Sequence, residues 1–228
     1  MKRLTESKVQ SLAMAFLHKQ YRKKAKAKNI FAKEEVRTRK KYGGKRADGL
    51  LVFDRWWWGI YVVSMEAKSY KTLPAIKAKS NFYKLVWNCL KAGLILCILS
   101  GGAFAIYRMD DQLFQYLLPL NAMVLGALLY GLFTYNSYRH KTLQIVEQVM
   151  QYPANEQWLA FSKDSLDDLN KTERRALKKI CRYEGVGVLI VHPSGKVKRW
   201  IRAVAKRKWI GNFLAYYSLE KRILKQLE

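Results

Sequence analysis

Acidic residues are scarce in this 228-residue chain: 17 Asp and Glu stand against 43 Lys and Arg, for a formal net charge of +26 and a pI near 10.0. That imbalance excludes a charge-balanced surface and implies an anionic partner: nucleic acid, an anionic membrane surface, or both. Basic flanks also set topology in membrane proteins that never meet nucleic acid. Cysteine is equally sparse. The three thiols form no CxxC pair, which argues against a zinc site or a disulfide framework. Cys89 and Cys97 fall in an apolar stretch and Cys181 precedes a predicted strand, a usage that fits a reducing cytoplasm. His18, His140 and His192 are scattered and make no recognisable ligand set. There is no Walker-type glycine loop, no Ser or Cys nucleophile elbow and no HExxH helix. The first twenty residues lack an apolar core followed by a small-residue cleavage site, so no signal peptide is expected. Repeats and low-complexity linkers are absent.

Against this polarity, 50% of the residues are hydrophobic. The two facts are reconciled if the apolar residues are concentrated, and they are. Residues 85–107 (LVWNCLKAGLILCILSGGAFAIY) and 113–135 (LFQYLLPLNAMVLGALLYGLFTY) are each long enough to cross a hydrocarbon core of about 30 Å as a helix. Lys91, near the start of the first, can snorkel to the headgroups. The connector, residues 108–112, is so short that the two spans must form a hairpin. Lys77, Lys79 and Lys84 precede it and Arg139 and Lys141 follow, whereas the connector holds one Arg against two Asp. Positive charge inside then predicts a two-pass protein of the inner, cytoplasmic membrane with both termini in the cytoplasm. Trp87, Tyr107, Tyr116 and Tyr135 stand where interfacial aromatics belong. Gly93, Gly101, Gly102 and Gly126 would allow close packing against a second copy or another membrane protein, although they form no clear dimerisation motif. The chain is thus read as residues 1–84, a first cytoplasmic part; 85–135, the hairpin; and 136–228, a second cytoplasmic part with a basic C-terminal helix.

The flanks read as mixed α/β. Apolar residues at Val9, Leu12, Ala13, Phe16 and Leu17 have helical spacing. Strands are predicted around residues 36–42, at 50–53 and at 60–68, the last two joined by a turn carrying Trp56, Trp57 and Trp58. These three rings suit either unpaired bases or the lipid interface. Beyond the hairpin, a helix over 141–152 is stopped by Pro153, and a loop or short helix runs through Trp158 and Phe161. A helix over 172–183 ends at Gly185, and a strand over 186–192 leads through Pro193-Ser194-Gly195 to a partner over 196–203. Residues 206–228 look helical and basic.

Three residues stand out around the paired strands. Asp48 opens the first, and Glu66 and Lys68 close the second, where alternation puts Glu66 and Lys68 on one face. Pairing through the tryptophan turn brings Asp48 near Glu66. Two adjacent carboxylates repel, and a divalent cation such as Mg²⁺ or Mn²⁺, which takes hard oxygen ligands, is the natural way to hold them. Lys68 beside it could orient a water and stabilise charge on a phosphate, a set sufficient for metal-assisted phosphodiester hydrolysis. Asp54 has the same parity as Asp48 and is an alternative ligand, though it also suits a turn cap.

An Asp, a hairpin, and Glu-Ala-Lys at a strand end, preceded by a helix bearing a Glu, resemble the PD-(D/E)xK nuclease superfamily. The likeness covers residues 4–72 and 172–204. It implies a restriction-endonuclease-like α/β domain interrupted by the two-helix transmembrane hairpin. By this resemblance Asp48 and Glu66 would be metal ligands, Lys68 the catalytic lysine, and Glu6 a helix-borne acid at the metal. The helix at 172–183 and the strand after it would be the family's next helix and strand. Ala47 stands where many members have proline, and the membrane insertion is not a general family feature. Two basic stretches would contact DNA: Lys19, Arg22, Lys23, Lys24, Lys26 and Lys28, and Lys196, Lys198, Arg199 and Arg202 with Lys206, Arg207 and Lys208 behind them. Either could lie on anionic lipid instead. The expectation is a membrane-anchored, metal-dependent deoxyribonuclease, with defence against foreign DNA as a setting. Its rivals are an inactive module that tethers nucleic acid to the membrane and a structural membrane subunit with a protein partner.

Overall fold

The computed structural model describes residues 3–25, 29–55, 59–69, 76–107 and 112–227; Lys26, Lys28, the Trp56–Trp58 turn and residues 108–111 of the connector lie outside them. In chain order the elements are α1 (Glu6–Ala25), β1 (Ile30–Arg37), β2 (Arg46–Arg55), β3 (Gly59–Lys68), β4 (Lys79–Ser80), α2 (Phe82–Tyr107), α3 (Gln112–Thr134), β5 (Lys141–Thr142), α4 (Gln144–Met150), β6 (Glu156–Ser162), α5 (Lys163–Asp167), α6 (Lys171–Glu184), β7 (Gly187–Val191), β8 (Val197–Ile201) and α7 (Glu220–Leu227). They form two units: one built from Met1–Ala78 with Leu143–Glu228, the other from Lys79–Thr142.

The first unit is mixed α/β around a six-stranded sheet of order β1-β2-β3-β6-β7-β8. β1, β2 and β3 are antiparallel, β3–β6 and β6–β7 are parallel, and β8 returns antiparallel to β7. Both faces of the sheet are covered. On one, Val9, Ala13 and Leu17, spaced four apart along α1, meet Leu51, Phe53, Val63 and Met65 with Trp158 and Ala160. On the other, Leu50, Val52 and Val62 pack with Leu214, Tyr217 and Ile223 of the C-terminal segment. Each fully buried side chain of this size contributes about 1.5–3 kcal/mol.

Such double coverage is why residues 156–162 depart from the pattern of an alternating strand. They were expected to be a loop or short helix; they are the central strand β6, with Trp158, Leu159, Ala160 and Phe161 all buried. A parallel strand covered on both faces shows a continuous apolar run rather than alternation. In consequence the strand beside β3 is β6, preceded by α4, and the 172–191 segment expected there is displaced one position outward as α6 and β7. Elsewhere β1 starts earlier than expected and a 3₁₀ turn occupies Lys40–Tyr42. In the basic tail only Glu220–Leu227 is α-helical, after a 3₁₀ turn at Phe213–Tyr216. The α6 boundaries follow local chemistry: Asn170 and Glu173 form a capping box, and Gly185 ends the helix at φ 73.

The second unit is an antiparallel pair, α2 against α3. Gly93 lies against Met123 and Gly126 against Leu96, where a Cβ would come within 2.5 Å and 2.4 Å of the facing atoms. β4 and β5 pair Lys79 with Thr142 and Ser80 with Lys141, so the chain enters and leaves this unit side by side. Phe82–Ala103 and Leu117–Thr134, 22 and 18 residues, are long and apolar enough to cross a membrane. Their outer surface is apolar, with Leu132 78% and Phe133 85% exposed, an extent that marks a membrane or protein contact.

Candidate functional site

The β2–β3 ladder pairs Gly49 with Met65, and the next step outward carries Asp48 and Glu66. Alternation puts Asp48, Glu66 and Lys68 on the sheet face of Leu50, Val52 and Val62. Two anchors hold the Asp48 end. A Cβ on Gly49 would sit 2.3 Å from the Met14 sulfur, so glycine here leaves room for the Met14 side chain of α1. Gln10 Nε2 of that helix then donates to the Asp48 carbonyl at 2.8 Å. The Asp48 carboxylate accepts from the Ala67 N–H at 2.8 Å, which turns it toward the end of β3.

Glu66 is 2% exposed and Lys68 8%. Lys68 Nζ donates to Glu66 Oε1 at 2.8 Å, and Gln148 Nε2 of α4 donates to the same oxygen at 2.5 Å. The other oxygen, Oε2, is buried and has no hydrogen-bond partner among the described residues, although the Tyr152 hydroxyl stands close enough to the carboxylate to feel it. Glu6, in the first turn of α1, lies 4.0 Å from Lys68 Nζ. Burial, then the neighbouring Asp48, pushes the Glu66 pKa up to about 6 in spite of Lys68. Burial also raises that of Asp48, opposed by the Ala67 N–H and by Lys68. Tyr152, one turn after Gln148, donates to the Arg46 carbonyl at 2.7 Å; burial and then Glu66 push its hydroxyl up to about 12.

On the α4 side a cleft of about 570 Å³ is lined by Lys45, Arg46, Glu147, Gln148 and Tyr152 among others; Gln148 links it to Glu66. Opposite Asp48 the β1–β2 register skips Glu35, the one described non-glycine residue with a left-handed backbone, φ 56. Its carboxylate lies 3.4 Å from Arg46.

No group of three or more His, Cys, Asp and Glu side chains close enough to hold a metal ion exists among the described residues. Glu6 lies 4.0 Å from Lys68, and its charge also acts on Glu66. Mg²⁺, however, is commonly bound through one or two carboxylates with waters filling the rest of its shell. The Asp48–Glu66 pair, with a buried oxygen that no donor satisfies, fits that pattern.

The other expected residues are dispersed. Asp54 lies opposite Ile60, six residues from Asp48 and about 20 Å along β2, so it is not part of this site. Lys19, Arg22 and Lys23 are exposed on the last turns of α1, about 20 Å from Glu6 along the helix, and Lys24 ends the same run. Lys196 lies in the β7–β8 turn, Lys198 and Arg199 are on the edge strand β8 and Arg202 just beyond, all exposed. Lys45 and Arg46, not the predicted basic runs, line the α4 cleft, together with Glu147 and with Gln148, which hydrogen-bonds Glu66. Gln148 and Tyr152 were also missed. Gln148 lies on α4 and Tyr152 two residues past its end, and nothing in their spacing of four names Glu66 as the residue beside them.

Neither a protein family, nor a curated protein, nor a solved structure matches the chain.

Proposed function

We propose that the chain is a metal-dependent nuclease anchored at the cytoplasmic face of the inner membrane, hydrolysing phosphodiester bonds of DNA through a restriction-endonuclease-like domain of the PD-(D/E)xK kind. The observation that carries this reading is the meeting of Asp48, Glu66 and Lys68 at one end of β2 and β3, with one Glu66 oxygen buried and unsatisfied. The element order supports it: a helix, three antiparallel strands, then α4 and the parallel strand β6. Asp48 and Glu66 would hold Mg²⁺ or Mn²⁺, which when bound polarises a phosphoryl oxygen and acidifies a coordinated water. Lys68, held between Glu66 and Glu6, presents an ammonium to the charge that builds on the phosphate. Gln148 and the Ala67 N–H fix the orientation of the two carboxylates. Lys45 and Arg46 neutralise neighbouring phosphates along the cleft. The cations at both ends of the helical pair favour a cytoplasmic sheet unit, where incoming foreign DNA would be met.

A second reading, an inactive module that tethers DNA, is favoured by the Lys68–Glu66 ion pair itself and by the lack of a three-ligand group among the described residues. Incubation of the detergent-purified chain with plasmid and linear DNA, in Mg²⁺, Mn²⁺ or chelator, separates the two. Cutting that needs metal and is lost in Glu66→Gln and Lys68→Ala, both checked for folding, is the expected result. Cutting that survives both substitutions would reject the site. Salt-sensitive binding without cutting would establish the tether.

A further inference from the structure

Toward the other end of the sheet, and on its opposite face, lies a second cleft that the proposed reaction does not use. Across the β3–β6 pair Glu66 stands opposite Leu159, whereas Glu156 stands opposite Val63, three residues or about 10 Å away. Glu156 shares its face with Trp158 and α1. Here a cavity of about 170 Å³ opens between the end of α1, the end of β2, the start of β6 and the segment after β8.

Its floor is a completed hydrogen-bond network. Tyr61 Oη donates to Glu156 Oε1 at 2.9 Å, Tyr21 Oη donates to Oε2, and Trp158 Nε1 donates to Tyr21 Oη at 3.0 Å. Phe53 packs with its ring centre 5.4 Å from that of Tyr21 and 5.2 Å from that of Tyr61, both tilted, and Phe53, Tyr21 and Trp158 give the cleft an aromatic wall. Its lining includes three arginines: Arg55 at the end of β2, and Arg199 and Arg202 in and just after β8. Arg55 lies 5.1 Å from the Tyr61 ring centre. Arg199 and Arg202 make no ion pair among the described residues.

Three positive groups against one carboxylate, itself occupied by two hydroxyls, leave a surplus of two positive charges. Gathering like charge in a half-enclosed cleft is unfavourable, and an anion entering it removes that repulsion. A phosphate monoester carries about −1.5 to −2 at neutral pH, which matches the surplus, and guanidinium forks bind phosphate oxygens in bidentate pairs. A backbone diester carries one charge only and would need room for chain on both sides.

We propose that this cleft binds the phosphate monoester of a nucleotide, with the phosphate on Arg199 and Arg202 and the remainder of the ligand against the aromatic wall. The ligand is either a free mononucleotide or the terminal phosphate of a nucleic-acid strand. The assignment does not depend on the chain being a nuclease.

The test uses the full-length protein in detergent, with chelator present. Two short single-stranded oligonucleotides, alike except for a terminal phosphate or hydroxyl, are compared by fluorescence anisotropy, and a nucleoside monophosphate is titrated by calorimetry. The general attraction of a basic surface acts on both oligonucleotides, so their difference isolates the cleft. The phosphorylated strand is expected to bind about tenfold more tightly, and an Arg199→Ala/Arg202→Ala double variant to erase that preference while keeping the weaker binding of the hydroxyl form. Competition by the monophosphate identifies the free nucleotide as a ligand; a strand preference without competition restricts the site to strand ends. Equal binding of the two strands with no heat from the monophosphate would overturn the proposal, as would a preference that survives the double variant.

Discussion

Glu66 and Glu156 stand on neighbouring strands, yet their surroundings are opposite. Glu156 has a tyrosine hydroxyl on each oxygen and a tryptophan behind one of them. Glu66 has a lysine and a glutamine crowded on one oxygen, no partner on the other among the described residues, and a second carboxylate directly opposite it on β2. A carboxylate saturated by neutral donors organises its neighbourhood. One left short of donors beside a like charge costs stability, and such arrangements concentrate where a further group binds. Under the two proposals above, the Glu66 end would take a cation and the Glu156 end would present arginines to an anion.

The contrast breaks most sharply at Lys68. Lys68→Ala leaves Glu66 buried without its counter-charge, a change worth about 3–5 kcal/mol, and adding Glu66→Gln should restore most of it. Thermal unfolding of the full chain in detergent and chelator reads this; a double variant as unstable as Lys68→Ala would show that the two groups are not coupled. At the other end Tyr21→Phe and Tyr61→Phe each deprive Glu156 of a donor, at a cost of up to about 3 kcal/mol. Unchanged unfolding temperatures in both would mean that water replaces the hydroxyls freely.

Titration sharpens the comparison. Glu66 has a pKa raised from 4.5 to about 6, so the folded protein binds its proton more tightly than the unfolded chain does. Its contribution to stability is therefore present below pH about 4.5 and is lost as pH rises to about 6, a change of about 2 kcal/mol in metal-free buffer. Glu66→Gln should remove that slope from the stability–pH profile; an unchanged profile would assign the slope to other groups. The smallest effect belongs to Glu35. Its left-handed backbone costs about 1–2 kcal/mol, partly offset in a Glu35→Gly variant by the entropy glycine loses on folding. A net gain of about 0.5–1 kcal/mol in denaturant unfolding is expected, and a loss would show that the Arg46–Glu35 contact matters more than the strain.

Much of this was legible residue by residue. The alternation of β3 put Glu66 and Lys68 on one face, and the tryptophan turn put Asp48 opposite them. The capped helix α6 and the Pro193-Ser194-Gly195 turn between β7 and β8 carried their own local signals. β6 was not legible, because a strand enclosed on both faces loses the period by which strands are recognised. Nor were Gln148 and Tyr152, since Gln148 reaches Glu66 from 82 residues away and an amide has no charge or spacing that announces its partner. The predicted basic runs showed the converse: a dense charge pattern was plain, but where it sits depends on the direction and length of α1.

The sequence by itself determined two stretches long and apolar enough for a membrane, the excess of positive charge, and the parity of the Asp48, Glu66 and Lys68 side chains. Each follows from composition or from a period of a few residues. Tertiary structure alone decided that the two flanks close into one sheet, that β6 lies beside β3 in parallel, that Glu66 keeps an unpartnered oxygen, and that Arg55, Arg199 and Arg202 line one cleft. Those are contacts between residues far apart in the chain. They depend on how buried surfaces fit, which no local pattern encodes.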